Sequence, residues 1–507
     1  MMRHPTSLIC LASLVVSCVL PSFSAEQRVK IEIHWDKAIA VSKTSLSIQD
    51  CPEPPLRRGR PTHDPIYKAL RDLHADYPRL QPWNSYPKIA VAELKPPEDG
   101  TTYWDFTIMD EITEDFMQAT EGHPVVFCFS TIPAWMFRTK TPVAYPEDPD
   151  AIDWNYEQST ELRDPSMKEV ADYFARLVGW YTQGGFNDEY GRWHASVHHY
   201  KVAYWEVLNE VDLGQNISPE LYTRLYDSIV ARVRQVAPDM KFMGPALGNI
   251  ADGGAYLTYF LDPRNHQPGI PIDRVSYHLL AGLGWHDEAE IMPHLCFEQA
   301  DHALTAVRYI ESIRKLLSPQ TGTDIDEMAT VICPATGDDV KPIPDWYWNL
   351  SASISAYAYT QLALMGIDVV GINELIDYPG QFASETLTNW ETGQPNARYW
   401  AWKLLRENFL PGDRLVETQL HFPARPIVSP YIYAQAFVTK QGERKVLLLS
   451  KRNRSFDISI PGAAGAKVEV VDQTTSSSPP GTTKLAADGM TLHGFAVAVV
   501  TYPRGAQ

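Results

Sequence analysis

The chain has 507 residues, and 62 acidic against 44 basic side chains give it a formal net charge of −18 at pH 7. An acidic protein repels phosphate backbones, so the charge argues against nucleic-acid binding as the main activity. Hydrophobic residues make up 44% of the sequence, which indicates a folded protein rather than a disordered one. The sequence contains no G-x-x-x-x-G-K-[ST], H-E-x-x-H or G-x-S-x-G motif, so nothing favours a phosphate-binding loop, a zinc protease or a serine hydrolase.

The first 24 residues have the pattern of a signal peptide. Arg3 gives a positively charged start, and residues 8–16 are apolar but too few to span a bilayer. Ser22 and Ser24 then supply small residues at the positions that specify cleavage. We therefore expect an exported protein whose mature chain begins near Ala25.

A lipid anchor is the alternative to a freely secreted or periplasmic protein. Residues 15–18, Val-Val-Ser-Cys, resemble a bacterial lipobox that would leave a lipidated Cys18. The apolar Val19 and Leu20 that follow are unlike the polar tether of such proteins, so free export is favoured. No later run approaches 18 apolar residues, and we predict no membrane-spanning helix.

After an N-terminal segment, residues 25–43, strand-like and helical stretches alternate. Strand-like runs occupy residues 44–49, 78–83, 124–130, 201–208, 241–245, 274–280, 323–328 and 369–373. Helical stretches follow at 64–73, 109–119, 166–181, 220–236, 256–261, 297–317, 346–365 and 396–409. Asp164-Pro165 and Ser218-Pro219 place a capping residue and a proline at two of the helix starts. Eight repeats of strand and helix predict a closed (β/α)8 barrel, or TIM barrel, over residues 44–410.

The pattern changes at residue 411, where helical periodicity ends. Strand-like runs at 428–439, 445–450, 457–460, 467–471 and 495–502 are separated by turn residues and by a Ser/Pro/Gly/Thr-rich loop at 474–483. This predicts an accessory antiparallel β-sandwich over residues 411–507. The strand-like run at 29–35 precedes the barrel, and we expect it to join that sandwich.

Four cysteines follow the predicted signal peptide, and their spacing fits no metal site. Cys296 and Cys333 fall in the loops after the sixth and seventh barrel strands, which are neighbours. We predict a disulfide between them, because an exported protein folds in an oxidising compartment. Cys128 lies within the third strand and is expected to be a buried thiol. We assign no disulfide partner to Cys51.

Candidate catalytic carboxylates lie where two barrel strands end. Strand four ends in W-E-V-L-N-E-V-D, residues 205–212, and strand seven ends in T-D-I-D-E, residues 323–327. Catalytic residues of such barrels lie at the C-terminal ends of strands. Retaining glycosidases use two carboxylates about 5–5.5 Å apart, one to protonate the departing sugar oxygen and one to attack the anomeric carbon.

The Asn209-Glu210 pair after strand four resembles the signature of the clan A glycoside hydrolases. The chain is most similar to glycoside hydrolase family 39, which includes β-xylosidases and α-L-iduronidases. The resemblance implies that Glu210 is the acid/base, that Asn209 holds the sugar 2-hydroxyl and that Glu327 is the nucleophile. Strand six carries Tyr277-His278, similar to the family pattern whose polar groups contact the nucleophile and the sugar. No cofactor or metal is expected, because two carboxylates and water complete the reaction.

Other carboxylates compete with these assignments. Glu206 lies four residues before Glu210, so period-two alternation directs it into the barrel, where it needs a buried partner such as an Arg or Lys on strand two. We expect it to be structural. The alternatives to the strand-seven nucleophile are Asp324, Asp326 and Glu374.

Four tryptophans follow barrel strands two, three, six and eight. Their flat faces suit the C–H face of a sugar ring, although packing within loops explains each of them equally well. They are Trp83, Trp135, Trp285 and Trp390. His194 and His198 precede strand four at the opposite end of the barrel, and we expect a solvated pair there rather than a metal site.

The sequence therefore predicts an exported retaining exo- or endo-glycosidase. Its expected substrates are plant or microbial oligosaccharides or polysaccharides, and the resemblance implies β-xylosidase-like activity. An inactive carbohydrate-binding barrel is the alternative, and it would tolerate the loss of either carboxylate. A scaffold or adhesion protein would instead show an exposed apolar patch and no perturbed carboxylate pair.

Overall fold

The computed structural model describes residues 28–83, 85–153, 161–213, 216–250, 253–281, 292–330, 343–423 and 430–503. The predicted signal peptide with Cys18 lies outside these residues, as do Trp285 and Cys333. Lipidation and the disulfide between Cys296 and Cys333 therefore stay predictions. Cys128 is a buried free thiol, as predicted, and so is Cys51.

Within the described ranges the chain forms 19 strands and nine α-helices. The strands are β1 Val29–Val41, β2 Ser45–Asp50, β3 Arg79–Leu80, β4 Val126–Phe127, β5 Gly185–Asn187, β6 Trp193–Ala195, β7 Tyr204–Glu206, β8 Phe242–Leu247, β9 Arg274–Leu280, β10 Gly322–Ala329, β11 Val369–Ile372, β12 Arg414–His421, β13 Ile432–Val438, β14 Arg444–Ser450, β15 Phe456–Ser459, β16 Lys467–Val471, β17 Gly481–Lys484, β18 Gly489–Leu492 and β19 Val497–Thr501. The helices are α1 His63–Leu73, α2 Pro87–Ala90, α3 Thr107–Ala119, α4 Lys168–Thr182, α5 Pro219–Val233, α6 Gly253–Phe260, α7 Met292–Leu317, α8 Asp345–Met365 and α9 Ala397–Asn408.

Eight strands form a closed parallel barrel, which confirms the predicted fold. Around the barrel the order is β2, β3, β4, β7, β8, β9, β10 and β11, and β11 closes the ring by pairing with β2. The second, third and fourth strands of the barrel, β3, β4 and β7, are shorter than the sequence predicts, with two or three residues each. At the end of β7 the reason is the backbone: Leu208 has a φ of 65° and Glu210 a φ of 48°, which are incompatible with extended pairing.

Of the two helix starts predicted from capping residues, one is found as predicted and one is displaced. Ser218 caps α5 by accepting a hydrogen bond from the Leu221 backbone N–H at 3.3 Å. The predicted start of α4 at residue 166 is wrong by two residues. The Asp164 side chain accepts from the Ser166 N–H at 2.9 Å and so holds a turn, and α4 begins only after it, at Lys168.

The accessory domain is a single sheet of nine strands that curls around its own apolar core. Its order is β17, β16, β19, β14, β13, β12, β1, β15 and β18. Antiparallel pairs dominate, but β1 runs parallel to β15, with Val29 opposite Ile458. Three corrections to the predicted strands follow: β12 and β18 are additional strands, and β17 begins inside the segment predicted to be a loop at 474–483.

The sheet packs against the outer helices of the barrel. Ser353 of α8 donates a hydrogen bond to the Ser450 carbonyl at 2.9 Å, and Gln361 of the same helix donates to the Tyr433 hydroxyl at 3.0 Å. Lys451 lies 3.6 Å from the centre of the Tyr357 ring, a cation–π contact. Among the described helices, none combines the length and the apolar character needed to cross a bilayer.

Candidate active site

A pocket of about 220 Å³ opens at the C-terminal ends of the barrel strands. Its walls come from the ends of strands β2, β3, β7, β9, β10 and β11 and the loops that follow them. The described lining residues are Gln49, Cys51, Glu53, Gln81, Trp83, Asn209, Glu210, Leu213, Leu280, Glu327, Asn373, Glu374, Asp377, Phe382 and Glu385. Glu210, Glu327, Asn209 and Trp83 are therefore brought together here.

Glu210 is held in the pocket by a turn of unusual backbone. Its left-handed φ and that of Leu208 redirect the chain at the end of β7, and its N–H donates to the Ala246 carbonyl at 2.9 Å. A Cβ atom at Gly248 would lie 2.4 Å from Leu213 Cδ1 and 2.8 Å from Glu210 Oε1, so a side chain at this position would displace the ends of both neighbours. The Glu210 side chain is 22% exposed.

Glu327 comes from β10 and faces the same pocket. Its side chain is 15% exposed, and Asn373 Nδ2 donates to its Oε1 at 3.2 Å. The pairing of β10 with β9 shifts in register between Asp324 and Glu327. After this shift Glu327 lies opposite His278 of β9, which places the carboxylate beside that imidazole.

The imidazole of His278 links the two carboxylates. Its Nδ1 lies 3.1 Å from Glu210 Oε1 and 3.4 Å from Glu327 Oε2, so these two oxygens are at most 3.1 plus 3.4, or 6.5 Å, apart. Burial alone would lower the pKa of His278, but Glu327, Asp326 and Glu210 together raise it to about 10. The ring is therefore a buried cation between two acids at neutral pH.

Beneath the pocket Arg79 pairs with Glu206, which confirms the predicted burial of this carboxylate and the predicted partner on strand two. Arg79 Nε lies 2.5 Å from Glu206 Oε2, and both side chains are buried. Burial would raise the pKa of Glu206, but the charge of Arg79 outweighs it and the pKa is lowered. Arg79 Nη2 also donates to Asn209 Oδ1 at 2.6 Å, which fixes the orientation of the Asn209 amide.

Of the three alternative carboxylates, Asp324 and Asp326 lie outside the pocket lining. Asp326 is buried beneath the pocket, 3.3 Å from Arg79 Nη2, and burial with the nearby Glu206 charge raises its pKa well above the usual range. Asp324 pairs with Arg274 at 3.2 Å. Glu374 does line the pocket, but the Cys51 backbone N–H donates to its Oε1 at 2.6 Å and Gln49 donates to its Oε2 at 3.1 Å.

Tyr277 lies away from the pocket. Successive residues of a strand face opposite sides, so its ring leaves the barrel on the side opposite to His278. There it is fully buried near Glu311 of α7, and it does not belong to the described lining.

Of the three described candidate tryptophans, one lines the pocket and two do not. Trp83 lines the pocket, with its ring 6.0 Å from that of Phe382. Trp135 donates to the Glu93 carbonyl at 2.8 Å and stacks under Arg163, and Trp390 packs against the barrel core. Neither ring is part of the described lining.

The expectation of a solvated histidine pair is wrong. His198 is buried, and its Nε2 lies 3.4 Å from Asp110 Oδ1. His194 belongs to the β5–β6 hairpin and contacts Asp188 at 3.0 Å. Each ring is thus fixed by its own carboxylate. In the described ranges no group of three or more His, Cys, Asp or Glu side chains is arranged to hold a metal ion.

Sequence reasoning missed three of the four carboxyls that we call the acidic wall. These are Glu53, Glu374, Asp377 and Glu385, all buried in the pocket lining. Burial is the first cause of their raised pKa values, which lie well above the usual range for the three glutamates and at about 7 for Asp377. Their position after the ends of strands β2 and β11 is the feature of the sequence that could have identified them as candidate site residues.

Comparison with known proteins identifies the fold. No family model matches the sequence, and no curated protein matches it either. Over 94% of this chain, the structure is similar to an α-L-arabinofuranosidase from Thermotoga maritima (13% identity, 99% of that chain, TM-score 0.60) and a family 39 β-xylosidase from Caulobacter crescentus (16%, 100%, 0.57). A family 30 endoxylanase from Clostridium papyrosolvens is also similar (11%, 94% of this chain, 99% of that chain, 0.54). At these identities the similarity shows a shared fold, and it does not single out family 39.

Proposed function

We propose that the protein is a retaining glycoside hydrolase, with Glu210 as acid/base and Glu327 as nucleophile. The observation that carries the proposal is the convergence of both carboxylates on His278 Nδ1 inside a pocket at the C-terminal end of the barrel. The upper limit of 6.5 Å between these two oxygens lies at the lower edge of the range for inverting enzymes and includes the shorter separation of retaining enzymes. The similar structures support the proposal at the level of the fold.

In the first step Glu327 attacks the anomeric carbon. The bond from that carbon to the departing oxygen breaks as the carboxylate–sugar bond forms, and the Glu210 proton moves to the departing oxygen. In the second step Glu210 takes a proton from water, and the resulting hydroxide displaces Glu327 from the sugar. Each displacement inverts the anomeric carbon, so the product keeps the configuration of the substrate.

The His278 cation supports both steps. While Glu327 is ionised, the buried positive charge between the two acids stabilises its negative charge. Once Glu327 is esterified to the sugar it carries no charge, and the imidazolium N–H is left to Glu210. This favours the ionised form of Glu210, which the second step requires as a base.

The substrate class and location complete the proposal. We propose β-xylosides, and oligosaccharides or polysaccharides that contain them, as the first substrates to test, because the Asn209-Glu210 sequence resembles family 39. Export follows from the predicted signal peptide.

The test is the stereochemistry of early hydrolysis. A panel of aryl β-xylosides, α-L-arabinofuranosides and β-glucosides identifies a substrate, and proton NMR then records the anomer that forms before mutarotation. We expect net retention. Initial formation of the inverted anomer would remove Glu327 as nucleophile. Binding of sugars without turnover of any glycoside would instead indicate an inactive carbohydrate-binding barrel.

A further inference from the structure

The lining of the pocket is acidic throughout its described part. It contains six carboxyl groups, those of Glu210 and Glu327 and the four of the acidic wall, and no Lys, Arg or His. A sugar in the pocket therefore meets acids on the catalytic side and on the opposite wall. Charges at close range in a partly buried site interact strongly, since little water screens them.

His278 and Arg79 pair with the acids of the catalytic side, and the cations nearest the acidic wall are occupied as well. Arg398 lies behind the wall, where its guanidinium donates to the backbone carbonyls of Glu385 and Asn373 rather than to carboxylates. Arg57 pairs with Asp150, with Nε 2.7 Å from Oδ1. Neither belongs to the lining, so neither offers a direct contact to a ligand.

Two buried acceptors of the lining have no donor. Glu53 is 1% exposed and Asn373 is 3% exposed, and within the described part of the chain neither Glu53 Oε2 nor Asn373 Oδ1 receives a hydrogen bond. The Asn373 amide group is oriented by its Nδ2, which donates to Glu327 and to Glu385. Buried acceptors without donors are costly, so they point to a ligand that brings N–H or O–H groups.

We propose that the pocket selects sugars that carry an ammonium group over sugars that carry a carboxylate, with neutral sugars between them. The inference rests on the proposed function, because it names the substrate class of the same pocket. An ammonium group supplies three N–H donors and a positive charge to a lining that holds acids and unpaired acceptors. A uronic acid adds a further negative charge where the nearby cations already have partners within the protein, which costs binding energy.

The ionisation of Asp377 supports this selection above neutral pH. Burial raises the pKa of Asp377 to about 7, so this group is largely ionised at pH 7.5. A primary ammonium keeps its proton at that pH, because its usual pKa is about 10. The divalent-cation alternative is not favoured, since the carboxyls in the described residues do not converge as metal ligands.

Three matched sugars test the inference. D-Glucose, 6-amino-6-deoxy-D-glucose and D-glucuronate differ only at carbon 6, and the corresponding galactose series changes one hydroxyl. Calorimetric titration of the intact protein at pH 7.5 and low salt is expected to give at least a tenfold lower Kd for the amino sugar than for the uronate. Because titration needs no turnover, it tests the inference even if the protein hydrolyses nothing.

Two wall variants and one control complete the design. Glu53→Gln and Asp377→Asn each remove one ionisable group with little change in shape and should narrow the Kd ratio at least threefold. Glu121→Gln removes an exposed acid at the opposite end of the barrel and should leave the ratio unchanged. Equal or tighter binding of the uronate by the unmodified protein would overturn the inference, as would failure of all sugars in both series to bind.

Discussion

On one side of the pocket, which we call the catalytic side, Glu210, Glu327 and Glu206 lie beside the buried cations His278 and Arg79. On the other side, the carboxyls of the acidic wall have amides, a backbone N–H and each other as neighbours. Glu206 on the catalytic side and the four carboxyls of the wall are all buried, yet the pKa of Glu206 is lowered and the pKa values of the wall are raised.

Glu206 and Glu374 show the reason for this difference. Each is fully enclosed, and burial raises the pKa of both. Arg79 outweighs burial at Glu206, whereas Asp377 and Asp50 add repulsion at Glu374. Between Glu206 and Glu374, the partner rather than the depth of burial therefore decides the direction of the pKa shift.

The largest expected effect is the loss of kcat when the nucleophile is removed, compared with the loss of a carboxyl from the acidic wall. Glu327→Gly should lower kcat by about 10⁴-fold or more on every substrate, because no covalent intermediate can form. Glu385→Gln, an equal loss of one carboxyl on the wall, should cost far less. Steady-state kinetics on the best aryl glycoside measures both, and similar losses would mean that the two sides do not differ in function.

Glu210→Ala should have a smaller effect that depends on the leaving group. The loss of a general acid is worth about 10²–10⁴-fold on poor leaving groups and much less on a 2,4-dinitrophenyl glycoside, which departs without protonation. Added azide should capture the intermediate from the vacated side as a glycosyl azide, seen by mass spectrometry. A loss that is independent of the leaving group contradicts the assigned role.

The free energy of unfolding should be most sensitive to substitutions on the catalytic side. Arg79→Met leaves Glu206 buried without its partner and should lower the free energy of unfolding by about 3–5 kcal/mol. Adding Glu206→Gln should restore part of that loss, since the unpaired charge is removed as well. Urea unfolding of the two single variants and the double variant measures the coupling. Strictly additive effects would show that the pair does not interact.

The two sides should respond to pH in opposite senses. The folded-state pKa of Asp377 is about 7 and its usual value is 3.8, so its contribution is fully present below about pH 4 and is lost as the pH rises through 7. Glu206, with a lowered pKa, contributes above its usual value, and this contribution is lost as the pH falls. Each unit of pKa difference is worth about 1.4 kcal/mol.

Asp377→Asn tests the wall's part of this pH response. The variant should fall less in free energy of unfolding between pH 4.5 and 7.5 than the unmodified protein does. Chemical unfolding at three pH values gives the slopes. Parallel curves for the two proteins would mean that Asp377 ionises normally.

The smallest effect concerns an apolar surface that belongs to neither set of charges. Trp83→Leu should raise KM by about two- to tenfold and leave kcat nearly unchanged, since loss of an aromatic contact costs about 0.5–1.5 kcal/mol. Trp390→Leu is the control, because that ring is outside the described lining. Equal changes in KM for both variants would contradict a sugar contact at Trp83.

The barrel and a basic partner for Glu206 on strand two could be predicted from the sequence, because both predictions rest on local periodicity. Strand and helix lengths repeat along the chain, and alternation within β7 directs Glu206 inward. The acidic wall could not be predicted in this way. Glu53 and Glu374 meet only because β11 pairs with β2, a contact between strands more than 300 residues apart that exists only once the ring closes.

The pocket's aromatic side shows a second limit. Trp83 and Trp135 each follow a barrel strand, so position alone ranks them equally. Their roles diverge because Trp135 finds a carbonyl partner at Glu93 and a cation at Arg163 away from the pocket. Such contacts depend on loop paths, which periodicity does not encode.

The position of β1 constrains how the chain can be assembled and dissected. This strand is synthesised before the others, but it pairs with β12 and β15, where Lys30 lies opposite His421 and Val29 opposite Ile458, 391 and 429 residues later. Long-range pairing of this kind is slow to form and leaves an open strand edge in the meantime. A fragment that ends at residue 411 would keep that edge exposed and should aggregate. A barrel intended to fold alone must therefore be cut at both ends, from about residue 43 to residue 411.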